Sequence, residues 1–158
     1  MSGIISANVG RASGLLKAGA AGGLIGYAYS NNGSETAIAS LTLVSTGLYV
    51  AYTPTNYSAN KIIVTCQGHY SQDGANSELG YYQINCTGQH TTNFALTHSS
   101  IDNYHGHNAF SISFNMQDTN LVNNTGAQTY TLWAKTNNAS STWRPHANLT
   151  MSVMEIGV

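Results

Sequence analysis

The sequence is poor in charge. Aspartate, glutamate, lysine and arginine make up 7% of its 158 residues, whereas an ordinary soluble domain has about 25%. The five basic residues are scattered, so they form no basic patch of the kind that neutralises nucleic-acid phosphates. We therefore expect no nucleic-acid partner. The basic residues are Arg11, Lys17, Lys61, Lys135 and Arg144.

Long apolar runs are also lacking. No run approaches the roughly 18 residues of a membrane span, so we expect no membrane insertion. Residues 1–19 lack the basic start and the apolar core of about 7–15 residues that define a secretion signal. Arg11 and Lys17 interrupt them. We expect that the mature chain begins here and does not use that route.

Common enzyme motifs are missing as well. The sequence contains no G-x-S-x-G nucleophile elbow, no phosphate-binding P-loop and no G-x-G-x-x-G fingerprint. Its six acidic residues lie mostly in predicted turns and form no obvious glycosidase pair. We expect no enzyme activity and no cofactor. A Ser-His-Asp triad assembled in space leaves no sequence motif and stays as the least favoured alternative.

The sequence does contain short stretches in which hydrophobic and polar residues alternate. In residues 109–117, "AFSISFNMQ", one side carries Phe110, Ile112, Phe114 and Met116. Strict alternation predicts a half-buried antiparallel strand. Two later stretches, 129–135 and 148–156, repeat the pattern. Their predicted inward positions are Tyr130, Leu132 and Ala134 in the first and Leu149, Met151 and Val153 in the second.

Further strands are predicted over residues 24–29, 36–45, 61–70 and 81–87, with Gly- and Asn-rich turns between them. No amphipathic helical stretch of useful length appears. Roughly eight to ten short strands with such turns indicate an all-β fold, an antiparallel sandwich or jelly roll.

The first 24 residues differ from the rest. They are rich in Gly and Ala, with little alternation and too many glycines for a stable lone helix. One interpretation is a flexible leader. We interpret the segment as an extended anchoring arm that contacts its own oligomer or a larger assembly. The predicted organisation is an N-terminal arm, residues 1–24, and one β-domain, residues 25–158.

The two cysteines lie on consecutive predicted strands. A hairpin symmetric about Asn76 would place Cys66 opposite Cys86. Directly opposed cysteines are often poorly placed for a disulfide, so two buried thiols are favoured over a bridge. Neither belongs to a C-x-x-C motif, which argues against a zinc ribbon or a redox site.

Histidines and loop aromatics are the remaining candidate site residues. His105 and His107 form an H-x-H pair, and three copies about a threefold axis would supply six nitrogens to a metal. A polar loop with two solvent-facing histidines is the favoured alternative. Aromatic residues in predicted polar loops can stack on sugars or anchor a partner, although packing is favoured for them. The candidate contact residues are Tyr52, Tyr57, Tyr104 and Trp143, with Tyr49 in the same stretch.

The last thirty residues, "TYTLWAKTNNASSTWRPHANLTMSVMEIGV", carry a family resemblance. They resemble the end of small phage virion proteins with a C1q/TNF-like domain. There, a Y-T-L-x-A strand, a polar loop and a final L-T-x-x-V-M-E-I strand close the chain. This chain departs from the tightest form by one residue between Thr150 and Val153. The strand "AFSISFNMQD" and the opening "GYAY…LTLVSTGLYV" also lie where such a domain would have them.

The resemblance implies a jelly roll that assembles as a homotrimer, with the final strand in the inner sheet near the threefold axis. It also implies a location on the virion surface, which suits the neutral polar composition. We predict a capsid decoration or head-fibre protein whose arm binds a capsid or tail protein. The arm residues expected to anchor it are Ile4, Ile5, Val9, Arg11, Leu15, Leu16 and Lys17.

Two alternatives stay open. One is a tail-fibre or receptor-binding tip that recognises a host-surface glycan through loop aromatics and histidines. The other is a non-viral binding module of the C1q type.

Overall fold

The computed structural model describes residues 23–55, 60–73, 78–88, 91–94, 97–101, 109–118, 126–145 and 147–157. These residues form ten β-strands and no helix, so the predicted all-β class is confirmed. The strands are β1 (Leu24–Asn31), β2 (Val44–Tyr52), β3 (Lys61–Asp73), β4 (Glu78–Gly88), β5 (Thr92–Asn93), β6 (Thr97–Ile101), β7 (Ala109–Asp118), β8 (Gln128–Thr136), β9 (Thr142–Pro145) and β10 (Thr150–Ile156).

The strands form two antiparallel sheets. Sheet A has the order β1-β10-β3-β7, and β9 pairs with the last part of β3. Sheet B has the order β2-β8-β4-β5, and β6 pairs with β4 beside β5. Both sheets contribute to a single hydrophobic core. The molecule is therefore a β-sandwich.

The pairing between strands is nested along the chain. β1 pairs with β10, β2 with β8, β3 with β7, and β4 with β6. Nested antiparallel pairs that alternate between two sheets are compatible with a jelly roll. β10 lies between β1 and β3, so the last strand is an interior strand of its sheet.

Alternation in the last strands predicted the core correctly. Tyr130, Leu132 and Ala134 of β8 are completely buried. So are Leu149, which precedes β10, and the inward residues of β10. The latter are Met151 and Val153. In sheet A the register pairs the hydrophobic positions of β7 with the buried positions of β3.

The strand predicted over residues 36–45 is wrong in its position. Ile38 forms an isolated bridge to Trp143, and the strand begins only at Val44. β2 continues through "GLYVAY", where the sequence predicts a loop. The misleading residue is Gly47, which looks like a turn residue but lies in a bulge of β2 with φ of 84°.

The predicted hairpin around Asn76 is also wrong. β3 belongs to sheet A and β4 to sheet B, so Cys66 and Cys86 are not opposed in one ladder. Both thiols are buried and neither is in a disulfide. The favoured expectation of two buried thiols is thus confirmed, although the geometry behind it was not.

The boundary of the predicted arm also changes by two residues. Leu24, the last residue assigned to the arm, opens β1. The backbone N–H of Gly157 donates to the carbonyl oxygen of Gly23 at 2.8 Å. The β-domain therefore includes Gly23.

Candidate functional site

The outward side of sheet A carries an apolar surface. Alternation along β1, β10 and β3 leaves hydrophobic residues on this side, away from the core. We call five of them the sheet A face: Tyr27, Tyr29, Ile63, Met154 and Ile156. The register aligns Tyr27, Met154 and Ile63 in one row across three strands. Such a row makes the hydrophobic surface continuous rather than scattered.

Two tyrosines project from this face. Tyr27 and Tyr29 are 55% and 68% exposed, and their rings stack with centroids 6.0 Å apart and an interplanar angle of 27°. A tyrosine ring offers a large, rigid contact area. Contiguous exposed apolar surface marks an interaction site more often than single exposed residues do.

The same face has little charge. Among the outward positions of β1, β10 and the Lys61–Gln67 part of β3, only Lys61 carries a charge. The other outward residues in the neighbouring rows are neutral, with Ser152 and Thr65 opposite Tyr29. Depletion of charge in the centre and enrichment in tyrosine are typical of protein interfaces. The sheet A face can therefore be buried against another protein surface without leaving charged side chains buried and unpaired.

A buried carboxylate lies directly behind this face. Glu155 shares β10 with Met154 and Ile156 but points inward and is completely buried. It accepts hydrogen bonds from the Tyr52 hydroxyl at 2.6 Å and from the Thr55 hydroxyl at 2.6 Å. The Thr55 backbone N–H and the Asn60 amide also donate to it. These bonds tie both ends of the β2–β3 connection to the last strand.

The network sets the ionisation of both partners. Burial removes the Glu155 carboxyl from water, which by itself raises its pKa, but the hydrogen bonds from Thr55, Tyr52 and Asn60 outweigh this and hold the pKa below its ordinary value. Burial, followed by the bond to Glu155 and its negative charge, raises the pKa of Tyr52. The two groups therefore stay as a carboxylate and a neutral phenol at ordinary pH.

Two of the candidate contact residues have internal roles. The Trp143 ring is completely buried and stacks on Tyr70 and Tyr82, with centroids 5.5 Å and 6.5 Å away. A ligand has no access to it, so its role is packing, which corrects its assignment as a ligand contact. The hydroxyl of Tyr52, which lies in β2 rather than in a loop, is engaged by Glu155. Neither residue forms part of a surface site.

Tyr49 lies in β2 and is exposed. The remaining predicted site residues lie outside the described residues. These are the candidate contacts Tyr57 and Tyr104, the candidate metal ligands His105 and His107, and the arm residues Ile4, Ile5, Val9, Arg11, Leu15, Leu16 and Lys17.

Comparison with known proteins gives no family. No family model and no curated protein matches the chain. Within the described residues, no helix is long and apolar enough to cross a membrane. The same residues contain no group of three or more His, Cys, Asp or Glu side chains arranged to hold a metal ion.

Sequence reasoning missed both the sheet A face and the buried carboxylate, although signals for them exist. The alternation that places Met151 and Val153 inward also places Glu155 inward and Met154 outward. Tyr27 and Tyr29 have the same period-2 spacing in "GYAYSN". What the sequence could not supply is the order of strands, which brings Tyr27, Met154 and Ile63 into one row.

Proposed function

We propose that this protein is a phage virion surface protein, a homotrimer of C1q/TNF-like jelly rolls in which the sheet A face packs around the threefold axis. The observation that carries the proposal is the row of Tyr27, Met154 and Ile63 across three adjacent strands. In a trimer of this kind three such rows would meet, and the exposed tyrosine pair would become buried.

Two further features support the proposal. The final strand lies in sheet A between β1 and β3, and the resembled domains commonly have their final strand in the sheet nearest the axis. The charged fraction of 7% suits a neutral exterior rich in Ser, Thr, Asn and Tyr. In this arrangement sheet B is directed away from the axis and outward.

Within the virion we favour capsid decoration or a short head fibre over a full tail fibre. The chain has one small β-domain and no repeat that would build a long shaft. Residues 1–22 would then attach the trimer to a capsid or tail protein through the aliphatic and basic residues predicted for the arm. The β-domain would project from the particle.

Attachment can be tested by expressing two tagged forms during infection by the phage that encodes the chain. One form is complete, and the other lacks residues 1–22, which end just before Gly23 and β1. We expect immunogold labelling of gradient-purified particles with the complete form only. Circular dichroism should give the same β-rich spectrum for both forms.

Two outcomes would contradict parts of the proposal. Equal labelling by the truncated form would move the anchor into the β-domain. Absence of both forms from the particles would contradict the virion assignment and favour a non-viral binding module.

A further inference from the structure

Trp133 lies in the middle of the outward side of sheet B. Its neighbours in β8, Leu132 and Ala134, are completely buried on the opposite side, whereas Trp133 keeps part of its surface exposed. The register places it between Ser45 of β2 and Gln83 of β4. An indole on an outward strand position is directed away from the core, so packing in the core does not explain it.

The row beside Trp133 consists of neutral hydrogen-bonding residues. Tyr49, Thr131, Asn85 and Asn93 align across β2, β8, β4 and β5, and Tyr49 is 56% exposed. Asn85 is half-buried, and its Oδ1 atom is itself buried. The row thus combines an exposed phenol, a hydroxyl and two amides next to the indole.

Two contacts hold the surroundings in place. The Gln83 side-chain nitrogen donates to the carbonyl oxygen of Phe94, which fixes the amide beside Trp133. On the other side, the Lys135 ammonium lies over the Tyr81 ring, 5.0 Å from its centroid. This cation–π contact holds Lys135 against a second aromatic residue of the same side.

We propose that this surface binds a neutral oligosaccharide, with the C–H side of one sugar ring stacked on the Trp133 indole. The sheet B face is defined as Tyr49, Tyr81, Gln83, Asn85, Thr131 and Trp133. Ligand sites combine an apolar platform with a few convergent polar groups, and a sugar ring presents C–H groups on its faces and hydroxyls at its rim. The polar groups of the sheet B face itself are uncharged, which suits a neutral sugar, and the nearby Lys135 ammonium already lies over the Tyr81 ring.

The inference goes beyond the proposed function and does not depend on the trimer. Every residue of the sheet B face belongs to one chain, and the face is on the opposite side of the sandwich from the sheet A face. A monomer therefore carries the whole site. It also replaces Trp143 and Tyr52 as the candidate sugar contacts, because those side chains are committed inside the protein.

Tryptophan fluorescence reports this site directly. The chain has two tryptophans, and Trp143 is fully buried, so a change in the exposed component of the emission comes from Trp133. The complete protein would be titrated with hexasaccharides of glucose, of mannose and of galactose, and with hexagalacturonate as the acidic comparison. We expect a saturable shift with at least one neutral hexasaccharide.

Calorimetry on variants then tests the role of the indole. We expect Trp133→Ala to weaken binding by about ten-fold or more, as loss of a central aromatic contact does, and Trp133→Tyr to retain part of the affinity. Leu41→Ser, which changes a residue that is 54% exposed in the β1–β2 connection, serves as the control and should bind like the wild type. Thermal unfolding of each variant separates loss of binding from loss of fold.

Several results would overturn the inference. They are no response to any neutral hexasaccharide, preference for hexagalacturonate, or equal binding by the folded Trp133→Tyr, Trp133→Ala and wild-type proteins. None of these results bears on the oligomeric state, which is measured separately. Failure here is therefore distinguishable from failure of the proposed trimer.

Discussion

At the scale of single residues, Gly68 determines how closely β3 approaches the β9–β10 connection. Its φ is 144°, a value that side chains disfavour. A Cβ atom there would lie 2.6 Å from the Cα of Leu149 and 2.9 Å from the carbonyl oxygen of Asn148. Both are backbone atoms, so neither can rotate away. Only glycine fits at this position, where β3 meets the β9–β10 connection.

We therefore expect Gly68→Ala to lower the free energy of unfolding by at least about 2 kcal/mol. Gly33→Ala should change it little, because nothing lies within 4 Å of the added Cβ. Gly47 has a φ of 84° but open space around it. Gly47→Ala should therefore lower the free energy of unfolding only by the cost of the backbone conformation, about 1 kcal/mol. Chemical denaturation at one fixed protein concentration measures all three. Equal stability of the Gly68 and Gly33 variants would contradict this account.

Glu155 is the second residue whose replacement is informative. Its carboxylate accepts from donors only: two hydroxyls, a backbone N–H and an amide. Glu155→Gln would direct an amide group toward these donors and remove the charge that strengthens their bonds. We expect a loss of roughly 2–3 kcal/mol in the free energy of unfolding at pH 7.

The loss should depend on pH in a defined direction. The pKa of Glu155 is lower in the folded protein than its ordinary value of 4.5, so the stability that its ionisation contributes is present above pH 4.5. It disappears as pH falls through the folded pKa. The wild type and the glutamine variant should therefore converge as pH falls below 4.5 and through the folded pKa, in urea titrations at each pH.

Glu35→Gln provides the matched control. Glu35 is 43% exposed and pairs with Arg144 at 3.5 Å on the surface, where ion pairs contribute about 0–1 kcal/mol. A glutamine variant of Glu155 as mild as that of Glu35 would show that the buried network is not stabilising. The same deficit at every pH would contradict the role given to the Glu155 charge.

At the scale of elements, the two cysteine-bearing strands give a simple test of burial in the core. β3 and β4 follow each other in the chain but lie in different sheets. Both thiols are buried, and burial raises the pKa of Cys66 to about 12, which suppresses the reactive thiolate.

We expect a thiol reagent such as DTNB to titrate no thiol in the native protein and both thiols after denaturation without reductant. The chain has two cysteines in total, so the counts are unambiguous. Absence of reactive thiols even after denaturation would reveal a disulfide and contradict the assignment of both cysteines as free thiols.

The individual strands also show which parts of the fold can be predicted from the sequence. Alternation in β8 and β10 predicted the inward residues, because each of these strands buries one complete face. Alternation does not indicate which sheet a strand joins, so the sequence predicts a hairpin of the consecutive strands β3 and β4 that the structure does not contain. Burial of Trp143 was not predictable either, since it depends on Tyr70 and Tyr82, which come from β3 and β4 and meet only in the folded core.

At the scale of the whole molecule, the two outward sides of the sandwich have different compositions. The sheet A face is mostly aliphatic and aromatic, with its hydrophobic residues in adjacent rows. The sheet B face surrounds its aromatic residues with amides and hydroxyls. The first suits a permanent protein interface and the second suits a soluble ligand. A trimer built on the first would leave three copies of the second exposed.

The central claim is that the sheet A face is the trimer interface, and its most direct test is the solution mass by light scattering on a sizing column. The wild type should elute as three copies of 16.7 kDa, about 50 kDa. Tyr27→Ser should shift the equilibrium toward monomer, and Tyr49→Ser, a tyrosine of nearly equal exposure on sheet B, should leave the mass unchanged. A wild-type monomer of 16.7 kDa, or a trimer broken by the Tyr49 variant and not by the Tyr27 variant, would contradict the account.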